Sequence, residues 1–346
     1  MAAALMNRGR TANSPQDIPA KGWKDVLMRV KSEINKDKIS VLSAAMAYYA
    51  LFSFIPAISS VIVVYAWISD PAEINQHMEK ISGILPAEAR GILSDQLTAL
   101  ASKASGTLGL SAIGGLLFSL YSASKGSKAL MESLNQIYEE KESRGFLRLN
   151  LMALSLTLLA TICSLLAVAV VIIVPAFFGA FNMGEGFEIG VTAASWLGLL
   201  TLFSLYLALV YRFGPSRQKP KWRWVSWGAV FSAVLFAIAS GGFSWYAASF
   251  GNFNKTYGSL GAVIGLMMWF FISSYVILIG AEVNAELEHQ TTRDSTAGVA
   301  KPMGVRGATM ADTLGETAEE GKASKSQKDF FADIRSVWNR KFHHKS

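Results

Sequence analysis

Twenty-four consecutive residues, Gly258 to Ala281, carry no charge. A helix rising about 1.5 Å per residue turns that run into a rod about 36 Å long. That length crosses a hydrocarbon core of about 30 Å. Further apolar stretches cover residues 41–68, 107–124, 149–178, 189–213 and 225–250, and the last span extends over 258–284. The second is the shortest in apolar content, from Leu108 to Ala123, but a more polar helix can continue it to Tyr138. The expected fold class is therefore all-α, a polytopic bundle of six transmembrane helices with amphipathic surface helices.

Composition agrees. Apolar residues make up 51% of the chain and charged residues 16%, where a soluble domain carries about 25% charge. The single cysteine, Cys163, lies in an apolar run, so no disulfide forms within one chain. The net charge of +7 needs no nucleic acid to explain it, because cytoplasmic loops of membrane proteins concentrate Lys and Arg. Six such residues lie over 21–40, five over 124–150 and five over 212–223, against three, none and one in the alternate loops. This bias puts both termini in the cytoplasm. Polar residues follow Arg8 and Arg10, so the N-terminus does not read as a cleavable signal.

The chain divides into a cytoplasmic N-terminal segment (1–40) with a basic amphipathic helix, a six-span membrane domain (41–288) and a polar tail (289–346). The amphipathic segments are 22–38, 86–103 and 327–342; the last sets Phe330, Phe331, Ile334, Val337, Trp338 and Phe342 against Lys328, Arg335, Arg340 and Lys341. Basic amphipathic helices bind anionic surfaces, though each can equally pack on the protein. Residues 290–326 read as a disordered tether, rich in Thr, Ser, Gly and charge. Trp222, Trp224 and Trp227 read as an interfacial belt.

The run Ala47-Tyr48-Tyr49-Ala50-Leu51-Phe52-Ser53-Phe54-Ile55-Pro56 resembles the opening motif of the YihY/virulence factor BrkB family, formerly labelled ribonuclease BN-like. Tyr257 to Gly261 and Gly280 to Glu286 resemble its last-span pattern, and Ser127 to Leu130 with Leu134 to Tyr138 its second helix. The resemblance covers about residues 25–290. It implies a six-span, multi-pass protein of the bacterial cytoplasmic (inner) membrane and no settled activity.

The residues themselves give little to catalysis. His77, His289, His343 and His344 all lie outside the spans, and no span contains Asp. A metal nuclease needs clustered ligands, and a serine nucleophile needs a base; the sequence presents neither pattern, nor a phosphate-cradling glycine loop. We therefore expect no enzyme, no catalytic residues, no metal and no cofactor.

Polar residues at the span ends carry the functional reading. Tyr121, Lys125, Lys128 and Glu132 share one helix face, and Glu282 and Glu286 share another. Pairing of Lys125 or Lys128 with Glu282 would build a charged cavity floor; the alternative places these groups at headgroup level as anchors. Tyr49, Ser53 and Ser60 form a stripe beside Pro56, which reads either as a polar path or as contact between helices. Gly261 and Gly265, with Gly241 and Gly242, read as close-packing positions or hinges. The candidate path is thus Tyr49, Ser53, Lys125, Lys128, Glu282 and Glu286. The expected function is a transporter or lipid-handling protein whose partners are membrane lipids and an amphiphilic substrate. The rival is a non-catalytic scaffold that recruits partners through its basic helices.

Overall fold

The computed structural model describes residues 8–68, 110–179, 185–250 and 260–321. Among them stand a short 3-10 helix (Pro15–Asp17) and eight α-helices: α1 (Ala20–Lys36), α2 (Ile39–Ile68), α3 (Leu110–Ile137), α4 (Phe146–Gly179), α5 (Glu185–Phe213), α6 (Trp222–Phe250), α7 (Leu260–Glu288) and the single turn α8 (Thr309–Asp312). No strand occurs among these residues. A long helix occupies each of the six regions read as spans. Segments of α4, α5, α6 and α7 are long and apolar enough to cross a membrane, and Ile39–Phe54 of α2 is a shorter apolar stretch. The chain is an all-α membrane protein.

Local chemistry sets the helix ends. Pro19 leads into α1 in an extended conformation, with the fixed φ that suits a helix start. Lys38 turns the chain at φ 52°, as does Glu139 after α3. At α3 the Glu139 amide donates to Gln136 and the Glu140 amide to Asn135, at 3.0 and 2.8 Å. These two bonds satisfy carbonyls the helix would leave orphaned.

The six long helices form a closed ring. Each packs on its chain neighbours, and α7 closes the circuit by packing on α2. One end of this ring, called here the polar end, gathers α1, the turn 138–145, the loop 214–221 and residues 289–321. The core sits at that end. Ile39, Met131, Leu134, Ile137, Leu207, Val210, Tyr211, Val225, Leu278 and Ala285 are fully buried together. Toward the opposite end burial fades. In α7 every residue from Ala281 to Glu288 is buried, while none from Val263 to Ser273 is. Helix α6 has no buried position over 234–247, and α4 none over 162–171.

One open alternative is decided here and two sequence expectations change. Helix α1 lays Val26 and Val30 against Trp224, Val283 and Leu287, so this amphipathic face packs on protein. Trp224 is accordingly 1% exposed and leaves the expected tryptophan belt; Trp222 and Trp227 stay half exposed. Residues 289–321 are not a disordered tether. Gln290, Thr291, Ser295, Thr296, Arg306 and Met310 are buried, and Thr291 and Thr292 bond the backbone of Arg10 and Ala12. Apolar content misjudged this segment because polar bonds hold most of it, with only Met310 reaching the main core. The amphipathic segments 86–103 and 327–342 lie outside the described residues.

Candidate functional site

The last two turns of α7 gather the chemistry. Asn284 is fully buried and stitches α6 to α7, accepting from the Gly228 amide at 2.8 Å and donating to the Val225 carbonyl at 3.1 Å. Two glycines allow this approach. A side chain on Gly280 would strike the Ser232 hydroxyl and lie 2.8 Å from both the Gly228 carbonyl and the Tyr211 hydroxyl. Tyr211 donates to the Ile277 carbonyl at 2.7 Å. The close-packing glycines are thus Gly228 and Gly280. Gly241, Gly242 and Gly265, chosen from sequence, face open space, whereas Gly261, chosen with them, is buried.

Three acids follow on α7, and the fold treats them differently. Glu288 is clamped by Arg217 through both guanidinium ends, at 3.1 and 2.6 Å, and accepts from the Ser295 hydroxyl at 2.9 Å. The pair is 1% and 0% exposed. The Tyr138 ring lies 4.0 Å from the guanidinium carbon. Burial works against the charge on Arg217, but Glu288 outweighs it and holds the guanidinium firmly protonated. Glu286 is paired with Arg29, whose Nε donates to its carboxylate and whose Nη2 donates to its backbone carbonyl at 3.0 Å; His289 stands 3.7 Å away. Glu282 is 0% exposed, and neither of its carboxyl oxygens has a hydrogen-bond partner among the described residues.

The expected pairing of Glu282 with α3 does not form. Lys128 donates instead to Asn150 of α4 at 2.6 Å and lies over the Tyr121 ring. Lys125 and Glu132 are exposed. Tyr49 is half exposed and packs edge-on to Tyr48. Ser53 is buried, its hydroxyl unpartnered among the described residues, and it abuts Gly126, where an added side-chain carbon would lie 3.2 Å from it. Ser53 is thus a contact between α2 and α3. Pro56 lies within a continuous α2, and Ser60 falls among residues whose side chains lie outside the description. Of the six sequence candidates, the structure brings Glu282 and Glu286 to one site and leaves the others elsewhere.

Charge around the site is uneven. Burial, reinforced by Glu33, pushes the Asp37 carboxyl up to about 6. Hydrogen bonding by Arg144 holds Glu142 down at about 2. Burial and neighbouring Arg29 lower the guanidinium of Arg10. A cleft of about 810 Å³ opens between α1, the end of α7 and the returning tail, with Arg29, Lys36, Glu286, His289 and Glu316 among its walls. Among the described residues no three of His, Cys, Asp and Glu stand close enough to share a metal ion. Sequence reasoning missed Arg29, Arg217, Asn284 and Glu288. Both arginines were visible only as loop cations.

The virulence factor BrkB family model matches residues 30–303. The chain belongs to the BrkB family. Its relatives include a Bacillus subtilis (strain 168) protein named "Putative ribonuclease-like protein YfkH", 30% identical over 262 residues, covering 71% of this chain and 88% of that one. A UPF0761 membrane protein of Tolumonas auensis is 26% identical over 261 residues, covering 72% and 81%. Another, VSAL_I2938 of Aliivibrio salmonicida, is 29% identical over 273 residues, covering 75% and 81%. No solved structure matches the chain. The family match takes in all six long helices and the first part of the returning tail.

Proposed function

We propose that this BrkB protein moves lipids or other amphiphiles across the bacterial cytoplasmic membrane, with both termini in the cytoplasm. The observation that carries the reading is the burial gradient along a closed ring. Helix α7 passes from complete burial over 281–288 to no buried residue over 263–273, although it packs on both α6 and α2. We read this ring, filled at one end and unfilled toward the other among the described residues, as a vestibule with a floor. Its described far-half residues are largely apolar, such as Leu117, Phe118, Val263 and Met267, which suits acyl chains better than bare ions. The orientation rests on the Lys and Arg distribution, which gathers at the polar end. We propose no catalytic role and no cofactor.

The scaffold alternative has its own support in the mixed-charge cleft at the polar end. Reconstitution separates the two. The full chain in liposomes carrying a headgroup-labelled phospholipid should speed the loss of inner-leaflet label to an impermeant quencher. A rate equal to that of protein-free vesicles, across anionic and zwitterionic lipids, would overturn transport and leave the scaffold.

A further inference from the structure

We infer that Glu282 is a proton-binding site, the group whose loading and unloading accompanies closure and opening of the polar end. The inference deepens the transport reading by naming a coupling ion, and rests on that reading for the proton's purpose. The site itself rests on geometry.

Three acids within two turns of α7 are buried. Glu288 has Arg217 and Ser295, and Glu286 has Arg29. Each carboxylate is matched by a guanidinium fixed in place by the fold. Among the described residues Glu282 has neither cation nor donor, and its side chain is 0% exposed. The charged groups that act on it most are Glu286 on its own helix and Asp37, Glu33 and Lys36 from α1 and the turn after it. Three of those four are acidic. The one cation, Lys36, is engaged by Glu33 at 2.9 Å and Glu139 at 3.0 Å. Just past the end of α3, the fully buried Tyr138 is a further titratable side chain electrostatically coupled to Glu282.

An ion in such a place is costly, because desolvation is repaid only by a partner or hydrogen bonds. A carboxyl group that keeps its proton avoids the cost. The closed arrangement therefore takes up one proton at Glu282. If α1 or the returning tail lifts, water reaches the carboxyl and the proton leaves to it. No other bond is made or broken, and the charge at residue 282 changes from zero to minus one. Intramembrane acids of this kind serve as proton relays in pumps and transporters. A purely structural acid has no reason to stand unpaired beside two that are paired.

Infrared difference spectroscopy on the full-length protein in lipid tests the site without requiring transport. The wild-type spectrum should contain the C=O stretch of a protonated, non-hydrogen-bonded carboxyl, and Glu282→Gln should lose it. Glutamate labelled with carbon-13 in the wild-type chain should shift the same band, which covers the case of a variant that does not fold. A wild-type chain without such a band, or a band untouched by the label or the substitution, overturns the inference. In liposomes with an imposed pH gradient, the wild-type rate of lipid movement should change several-fold and the Glu282→Gln rate should not. An active wild-type protein indifferent to the gradient overturns coupling. A protein that moves no lipid yet shows the band refutes the transport reading and upholds the proton site.

Discussion

The two ends of the helix ring are built on different terms. At the polar end, glycines bring backbones together, Asn284 bonds across to α6, and arginines reach in from α1 and from the loop 214–221 to buried acids. In the far half of the same helices, Gly241, Gly242 and Gly265 face open space, and large apolar side chains such as Ile238, at 66% exposed, touch little protein. Apolar burial does not hold helices together in hydrocarbon, since lipid is as apolar as leucine; close packing and hydrogen bonds do. The polar end therefore holds the ring together, and the far half is free to leave room for something else. Substitutions matched between the two ends can break or sharpen this contrast.

The largest effect should come from Arg217. Its removal leaves Glu288 buried without a counter-charge, at a cost of about 3–5 kcal/mol, read as a lowered melting temperature of Arg217→Ala in detergent. Arg217→Met combined with Glu288→Leu should recover most of that loss, because a buried ion pair is often replaceable by apolar residues. The counterpart in the far half, Ile238→Ala, should stay within about 0.5 kcal/mol of the parent. Equal losses at the two sites would show that the ring is uniformly packed.

A smaller but sharper contrast lies within one residue type. Gly280→Ala pushes a carbon into Ser232 and against the Gly228 carbonyl, and backbone there cannot step aside. Such overpacking costs about 1–3 kcal/mol. Gly241→Ala and Gly242→Ala meet nothing within 4 Å and gain about 0.5–1 kcal/mol each from helix propensity. Melting of the three variants by size-exclusion fluorescence checks the sign. Loss at Gly241 or Gly242 comparable to that at Gly280 would mean the far half closes more tightly than its burial suggests.

The difference between these glycines also marks where sequence reading stops. The spans were legible because hydropathy is local: twenty uncharged residues in a row settle the matter wherever their neighbours lie. Which glycine touches which helix depends on rotation about the axis, and apolar residues around the whole circumference of α6 and α7 hide that rotation. Gly228 looked no different from Gly241. The same holds for charge. Arg29 meets Glu286 across 257 residues of sequence, and nothing local distinguishes it from Lys31, two positions on. Glu282 and Glu286 were legible as a one-turn pair at the end of an uncharged run. That only one of them would find a cation was not, because the choice is made by α1, which packs on α7 from outside the span pattern.

The remaining contrast is one of pH and concerns Asp37, in the turn that joins α1 to the ring at the polar end. Burial and the neighbouring Glu33 push its carboxyl up to about 6, while an unfolded chain ionises it near the ordinary value of about 3.9. The folded state therefore binds the proton more tightly than the unfolded state does. This contribution to stability is fully present below about pH 4 and is lost as pH rises through 6. Above that, the ionised Asp37 sits half-desolvated beside acidic neighbours and costs the fold free energy. Asp37→Asn removes the charge and should raise stability by about 1 kcal/mol at pH 7.5, after allowance for solvent screening. The gain should shrink through pH 6 and vanish near pH 4. Melting curves of parent and variant across that range decide it. A gain that persists at pH 4 would mean that the asparagine makes new contacts. A loss at pH 7.5 would mean that Asp37 serves as an anionic partner at the polar end, and the charge imbalance described around Glu282 would have to be redrawn.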